Sequence, residues 1–271
     1  MLIPVDFSEA SRKAFFYAVE LAKKAGIDSL TVANAFMPSA EADYPNYVPP
    51  MADYLKVREK MLHDFAEEMS QQTGMKIEKD ILIGFAADEL VNLSKQYDLI
   101  VMSTTGEGGF LSKIFGSVSI SVARHAKCPV ILVPENAIAK DVHHILYACN
   151  YQSAHEEMLE EMLRFNELLK ANVHFVHVRG SKDTTDFERI KDEIFHKLFE
   201  GGEPLFGFYM AEISSDSVEE GINDYVQSHQ IDLVVMVTKQ RGFWEELFHK
   251  SATKELALHT HTPVMAFHYE D

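Results

Sequence analysis

Cysteine is scarce: the chain of 271 residues has two, Cys128 and Cys149. That excludes a disulfide framework or a zinc knuckle and points to buried thiols in a reducing compartment. Also missing are an apolar run of about 18 residues, the length a membrane helix needs, and a basic-then-apolar leader. The expectation is a cytoplasmic location. Positive charge is the third shortage. Lys and Arg number 25 against 42 Asp and Glu, a net charge of −17. Such a field repels nucleic acid and anionic membranes, so neither is expected as a partner. The deficit is uneven. Residues 1–137 carry 13 basic and 18 acidic side chains, and residues 138–271 carry 12 and 24. A phosphate-bearing ligand meets less repulsion in the first half.

What is present is mostly ordinary. Hydrophobic residues make up 46% of the chain, enough to bury the core of one large domain or two smaller ones. An internal repeat decides between these. "QYDLIVMSTT" at 96–105 returns as "QIDLVVMVTK" at 230–239, which aligns Asp98 with Asp232. The same spacing aligns Cys128-Pro129-Val130 with Thr262-Pro263-Val264, and Ser117 with Ser251. Near the start, "LIPVDFS" (2–8) aligns with "LYACNYQ" (146–152) at a spacing about ten residues longer. The expected organisation is two homologous domains, 1–137 and 138–271, with the middle of the second copy shortened. Met1 leaves the first strand almost no lead, whereas the second copy has one.

Within the first copy, strands are expected at Leu2–Val5, Leu30–Phe36, Ile77–Ile83, Leu99–Ser103 and Val130–Val133. A helix with Ala14, Phe15, Ala18, Leu21 and Ala22 on one stripe starts at Ser8 and stops at Gly26. Further helices are expected near Met51–Gln72, Asp88–Gln96 and Ser117–His125. Continuously apolar strands alternating with helices mean parallel strands buried on both faces. The fold class is α/β: a doubly wound domain with a mostly parallel five-stranded sheet, repeated twice. The Pro- and Tyr-rich stretch 38–50 should lie close to the ligand edge of the sheet, and "VPENAIAK" (133–140) is the linker.

The stretch "MSTTGEGGFLSKIFGSVSIS" (102–121) leaves a strand and enters a helix, the place where doubly wound sheets bind ligands. Gly106 can take a positive φ, and Gly116-Ser117 opens a helix whose free N–H groups and dipole favour an anion. Ser117 and Ser119 offer hydroxyl donors and Lys113 a cation. Neither G-x-x-x-x-G-K-[ST] nor a complete G-x-G-x-x-G occurs there, so a plain turn capped by serine is the competing reading.

Taken with "IPVDFSEAS" (3–11) and "CPVILVP" (128–134), this loop resembles the universal stress protein family across both copies. Nucleotide-binding members of that family carry Gly, two residues, Gly, nine residues, then Gly and Ser or Thr. The pattern falls on Ser103, Thr104-Thr105, Gly106, residues 107–115 and Gly116-Ser117, with Ser103 in place of the first glycine. The resemblance implies a Rossmann-like fold and ATP or AMP as ligand, with or without magnesium. It implies that the last strands, Val130–Val133 and Val264–Phe267, pair the domains as an intrachain pseudo-dimer. It implies that Asp6 contacts ribose or adenine beside the backbone of Pro4 and Val5. It also implies that Ala35 reads the base edge and Met102 lines the base pocket. Ser103, Thr104, Gly106, Gly116, Ser117, Val118 and Ser119 would surround the phosphates. Without a ligand, Asp6 would simply favour the N–H groups of the first helix.

The second copy departs from this pattern. Asn150 stands for Asp6, and Val237, Gln240 and Lys250 stand for Ser103, Gly106 and Gly116. "QRGFWEELFHK" (240–250) adds Phe243, Trp244, Leu247 and Phe248 beside Glu245 and Glu246. This loop should have lost nucleotide and suits an apolar ligand or a protein partner. Eleven of the 13 histidines lie at 143 or later. His174 and His177, three apart in a strand, should face opposite ways. With no cysteine or carboxylate at ligand spacing, the histidines are expected to be solvated or capping rather than a metal site. Three functional readings result. They are a nucleotide-binding stress-response sensor or adaptor, an interaction module working through the second domain, and a slow ATPase lacking a recognisable base and magnesium set. A homodimer is compatible with each.

Overall fold

Ten strands form one sheet in the order β3-β2-β1-β4-β5-β10-β9-β6-β7-β8. The computed structural model describes residues 1–37, 50–105, 116–149, 156–180, 186–200, 202–237 and 261–267. The first half contains β1 (Leu2–Pro4), α1 (Glu9–Ala25), β2 (Ser29–Phe36), α2 (Met51–Thr73) and β3 (Lys76–Ile83). It continues through α3 (Ala86–Leu93), β4 (Ile100–Ser103), α4 (Ser117–His125) and β5 (Val130–Val133). The second half contains β6 (His144–Cys149), α5 (Glu156–Leu169), β7 (Asn172–Arg179), α6 (Phe187–Phe199) and β8 (Phe208–Ser214). It ends with α7 (Val218–His229), β9 (Leu233–Val237) and β10 (Val264–Phe267).

The repeat read from sequence is present in the strand register. Leu2 pairs with Ile100 and Thr31 in the first half, and Leu146 pairs with Val234 and His174 in the second. Within each half all strands are parallel. The halves meet where β5 and β10 pair antiparallel, with Leu132 opposite Val264 and Ile131 opposite Met265. The expected pairing of the last strands is therefore observed, and it covers two edges that would otherwise be bare. The shortened second copy also has a visible source: α2 runs for 23 residues and its counterpart α6 for 13.

Local chemistry explains the element ends. Ser8 caps α1 by accepting from the N–H of Ser11, and Gly26 ends the helix at φ 68°, a left-handed conformation that glycine adopts without strain. The helix expected at Asp88–Gln96 instead starts at Ala86 and ends in a 3₁₀ turn at Ser94–Gln96. There the Ser94 hydroxyl donates to the carbonyl of Val91, three residues back, and tightens the last turn. The sheet is covered on both faces. One apolar cluster joins α1, α2, α5 and α6, with Phe15 and Phe65 edge to face at 5.9 Å. The other joins α3, α4 and α7. The first cluster crosses between the halves, and Lys24 of α1 adds a bond to the carbonyl of Val142 at 2.6 Å and an ion pair to Asp141.

Cys128 is buried, and burial together with the charge of Asp98 pushes its thiol up to about 12. It stays protonated and unreactive at neutral pH. No helix among the described residues is long and apolar enough to cross a membrane.

Candidate functional site

In the first half the winding direction reverses between β1 and β4, which are neighbours in the sheet. Beyond their carboxyl ends lies a cavity of about 470 Å³. From β1 and the turn after it come Pro4, Val5 and Asp6; from β2, Ala35; from β4 and its exit, Met102, Ser103 and Thr104. Gly116, Ser117, Val118 and Ser119 come from the start of α4. Eleven of the twelve residues singled out from sequence thus line one cavity. Gly106 lies outside the described residues, as do Lys113, Asn150, Gln240, Lys250, Ser251, the aromatic loop 240–250 and residues 38–49. Ser11, Ala33, Ala86, Leu90 and Thr105 also line the cavity. Ala33 was legible in principle, because positions i and i+2 of a strand share a face with Ala35. Ala86 and Leu90 share a helix face by the same kind of argument. Ser11 had no signal beyond its place in the first turn of α1.

The walls divide by chemistry. Val5, Ala33, Ala35, Leu90 and Met102 are apolar, while Asp6, the 103–105 segment and the α4 start are polar. The competing reading of a serine cap fails at α4. The cap position is Gly116, no side chain among the described residues caps the helix, and Ser117 is its first residue. Among those residues the leading N–H groups of α4 are left to an acceptor in the cavity, and the helix dipole favours a negative one.

The hydroxyls are arranged differently from expectation. Ser119, expected as a donor to ligand, spends its proton within the protein: its Oγ lies 2.8 Å from the carbonyl oxygen of Thr104 and 2.9 Å from that of Gly116. Ser103, standing where the family pattern has glycine, donates to the carbonyl of Thr105 at 2.6 Å. Its side chain holds the loop backbone and replaces conformational freedom with a bond. Asp6 accepts at Oδ1 from the N–H and the hydroxyl of Ser8, at 3.1 and 2.6 Å. Between them, Phe7 has φ 69°, unusual for a bulky side chain, and its ring packs edge to face on Phe65 at 6.0 Å. That packing holds the strained turn that presents Asp6 to the cavity.

The family model of the universal stress proteins matches residues 1–134 and 208–268. The chain belongs to the universal stress protein family. A universal stress protein of Methanocaldococcus jannaschii is 31% identical over 49% of the chain and 80% of its own length. One from Mycobacterium tuberculosis is 26% identical over 68% of the chain and 64% of its own length. Among solved structures, a universal stress protein from Archaeoglobus fulgidus aligns over 100% of the chain and 96% of its own, with a TM-score of 0.73 at 20% identity. That likeness establishes the fold. As a universal stress protein, the chain belongs to the stress response.

The histidines of this universal stress protein correct the sequence reading. His174 and His177 do face opposite sides, one against Tyr225 of α7 and the other against Phe187 of α6. Yet both are buried, at 3% and 4% exposure, where solvated or capping rings were expected. His174 stacks on Tyr209 of β8 with ring centres 4.5 Å apart. Its ring nitrogens lie 3.0 Å from His144 Nδ1 and 3.0 Å from the Tyr225 hydroxyl, and His229 packs edge to face at 5.8 Å. Among the described residues no group of three His, Cys, Asp or Glu is arranged to hold a metal ion. The rings of this cluster pack on one another.

It has a pH consequence. Burial first, then His144 and His229, lower the His174 pKa from 6.5 to about 4. The unfolded chain takes up this proton as pH falls below about 6.5, and the folded chain does so only near 4, so folding loses stability through that window. At about 1.4 kcal/mol per unit the loss is on the order of 3 kcal/mol, most of it reached by pH 4.5. Urea midpoints at pH 7 and 4.5 should fall less in His174→Phe than in the wild type. Equal falls would remove His174 as the source.

Proposed function

We propose that the first domain, residues 1–137, binds one adenine nucleotide, ATP or AMP, and that the protein is a cytoplasmic sensor or adaptor. The observation that carries the reading is that the start of α4, with no capping side chain among the described residues, lines one cavity with Asp6 and an apolar wall at the reversal between β1 and β4. The volume and the two-part lining fit a flat apolar base with an anionic tail. Asp6 would accept from ribose or base, the Ala35 backbone and Met102 would border the base, and the α4 amides would receive phosphate. Gly106 belongs to this proposed phosphate loop on sequence alone. Asp6 is the sole carboxylate among the described lining residues, so any magnesium would arrive with the phosphates. Binding rather than turnover suits this lining.

The second domain, residues 138–271, is proposed to lack a nucleotide, since Gln240 and Lys250 bring side chains where the first domain has glycine. Its acidic, aromatic loop at 240–250 favours a protein partner and supports the adaptor role. Calorimetric titration of the full chain with ATP and with AMP tests both proposals. One site per chain is expected, and ligand at about 100 times Kd should add roughly 2.7 kcal/mol of stability. Two equal sites would refute the asymmetry, and no heat with either nucleotide would refute the binding reading.

A further inference from the structure

A second cavity, of about 190 Å³, lies at the seam between the halves and is independent of the nucleotide reading. Tyr17 of α1 forms one wall, the linker residues Asn136, Ile138 and Lys140 another, and Asp232 and Thr262 before β9 and β10 the floor. Tyr17 is 2% exposed, and its hydroxyl has no hydrogen-bond partner among the described residues. A buried phenol lacking a partner is costly, and native proteins rarely retain one without a ligand or water to satisfy it.

The remaining polar groups indicate what is lacking. Asp232 is 6% exposed and already engaged: Oδ2 accepts from the N–H groups of His143 and His144, each at 2.9 Å, and Oδ1 pairs with Lys140. Burial works against its charge, but these bonds outweigh burial and hold its pKa below the usual carboxylate range. Lys140 offsets its negative charge, although burial first and then that charge raise the pKa of Tyr17. Lys140 keeps two further N–H groups, and the amide of Asn136, the hydroxyl of Thr262 and the ring of His261 can each donate or accept. With the ammonium, donors outnumber free acceptors among the described lining side chains, around a space larger than the roughly 30 Å³ share of one water. A cation would find the one carboxylate among them already paired with Lys140.

We propose that this seam cavity binds a small oxyanion, a carboxylate or inorganic phosphate, that accepts from the Tyr17 hydroxyl and the Lys140 ammonium. Both halves and the linker contribute to the site, so its occupant would tie them together.

The test uses the full chain, titrated separately with inorganic phosphate and with acetate, in the wild type, Tyr17→Phe and Gly116→Val. In Gly116→Val, whose first cavity is obstructed, one anion per chain is expected, with a dissociation constant near 1 mM, where a few such bonds place it. The two titrations tell which anion is preferred. Tyr17→Phe should weaken this binding at least tenfold and melt no lower than the wild type without anion, because the hydroxyl it removes has no partner among the described residues. The wild type should bind at the seam as Gly116→Val does, and any second anion it takes belongs to the start of α4. Three results would overturn the proposal: neither anion binding at about ten times that concentration, undiminished binding by Tyr17→Phe, or loss of binding in Gly116→Val. A lower melting temperature for anion-free Tyr17→Phe would also overturn it, by giving the hydroxyl a structural partner.

Discussion

Replacing Gly116 with valine should weaken adenine-nucleotide binding more than tenfold, at least 1.4 kcal/mol, in a chain that still folds. The backbone at Gly116 has φ −73° and ψ 155°, an extended conformation open to any residue. A Cβ there would meet the Thr104 carbonyl oxygen at 3.5 Å and the Ser119 hydroxyl at 3.8 Å, ordinary contacts. Nothing in the fold demands glycine at this position. What its bareness provides is access to the first N–H groups of α4, and the branched valine would stand in that approach. Gly116→Ala, with one methyl, should lose less. Calorimetric affinity unchanged in a folded Gly116→Val chain would remove the α4 N-terminus from the nucleotide site.

The second large effect is expected at the seam of the sheet. Ile131 and Met265 face each other across β5 and β10, and both are fully buried. Ile131→Ala removes apolar contacts and leaves a cavity that rigid strands cannot close, costing about 2–5 kcal/mol. In a chain of this size each kcal/mol lowers the melting temperature by roughly 2–4 °C. The whole chain should melt in one transition, because one apolar cluster contains Phe15 and Ile131 from the first half and Phe175 and Met265 from the second. Calorimetry showing two transitions, with only the first displaced, would mean that the halves melt independently. The same continuity is why the nucleotide titration uses the full chain: cutting it would bare the edges of β5 and β10.

Much of the architecture follows from local and periodic information. Apolar runs such as Ile100–Ser103 and Val130–Val133 had to be strands buried on both faces, and alternation with helices made them parallel. The repeated "QYDLIVMSTT" and "QIDLVVMVTK" required the halves to share one topology, and the sheet places the ends of β1 and β4 side by side. Residues from four segments could be named together because the resemblance to the universal stress proteins joined the strand ends to the glycine loop.

What sequence could not supply were the partners that packing gives each polar side chain. Ser119 reads as a free hydroxyl until the Thr104 carbonyl is placed beside it, and Ser103 reads as a stand-in for glycine until it bonds Thr105. His174 reads as solvated until strands β6 and β8 and helix α7 close around it. Tyr17 sits on the buried stripe of α1 like any core aromatic, and only the crossing linker and the ends of β9 and β10 turn its hydroxyl into the wall of a polar cavity. Backbone preference and hydrophobic period are carried by residues a few positions apart, so the sequence alone determines them. The partner of a hydroxyl or an imidazole is chosen by how whole segments pack, from the turn after β4 to strands and helices tens or hundreds of residues apart, and that choice belongs to the tertiary structure.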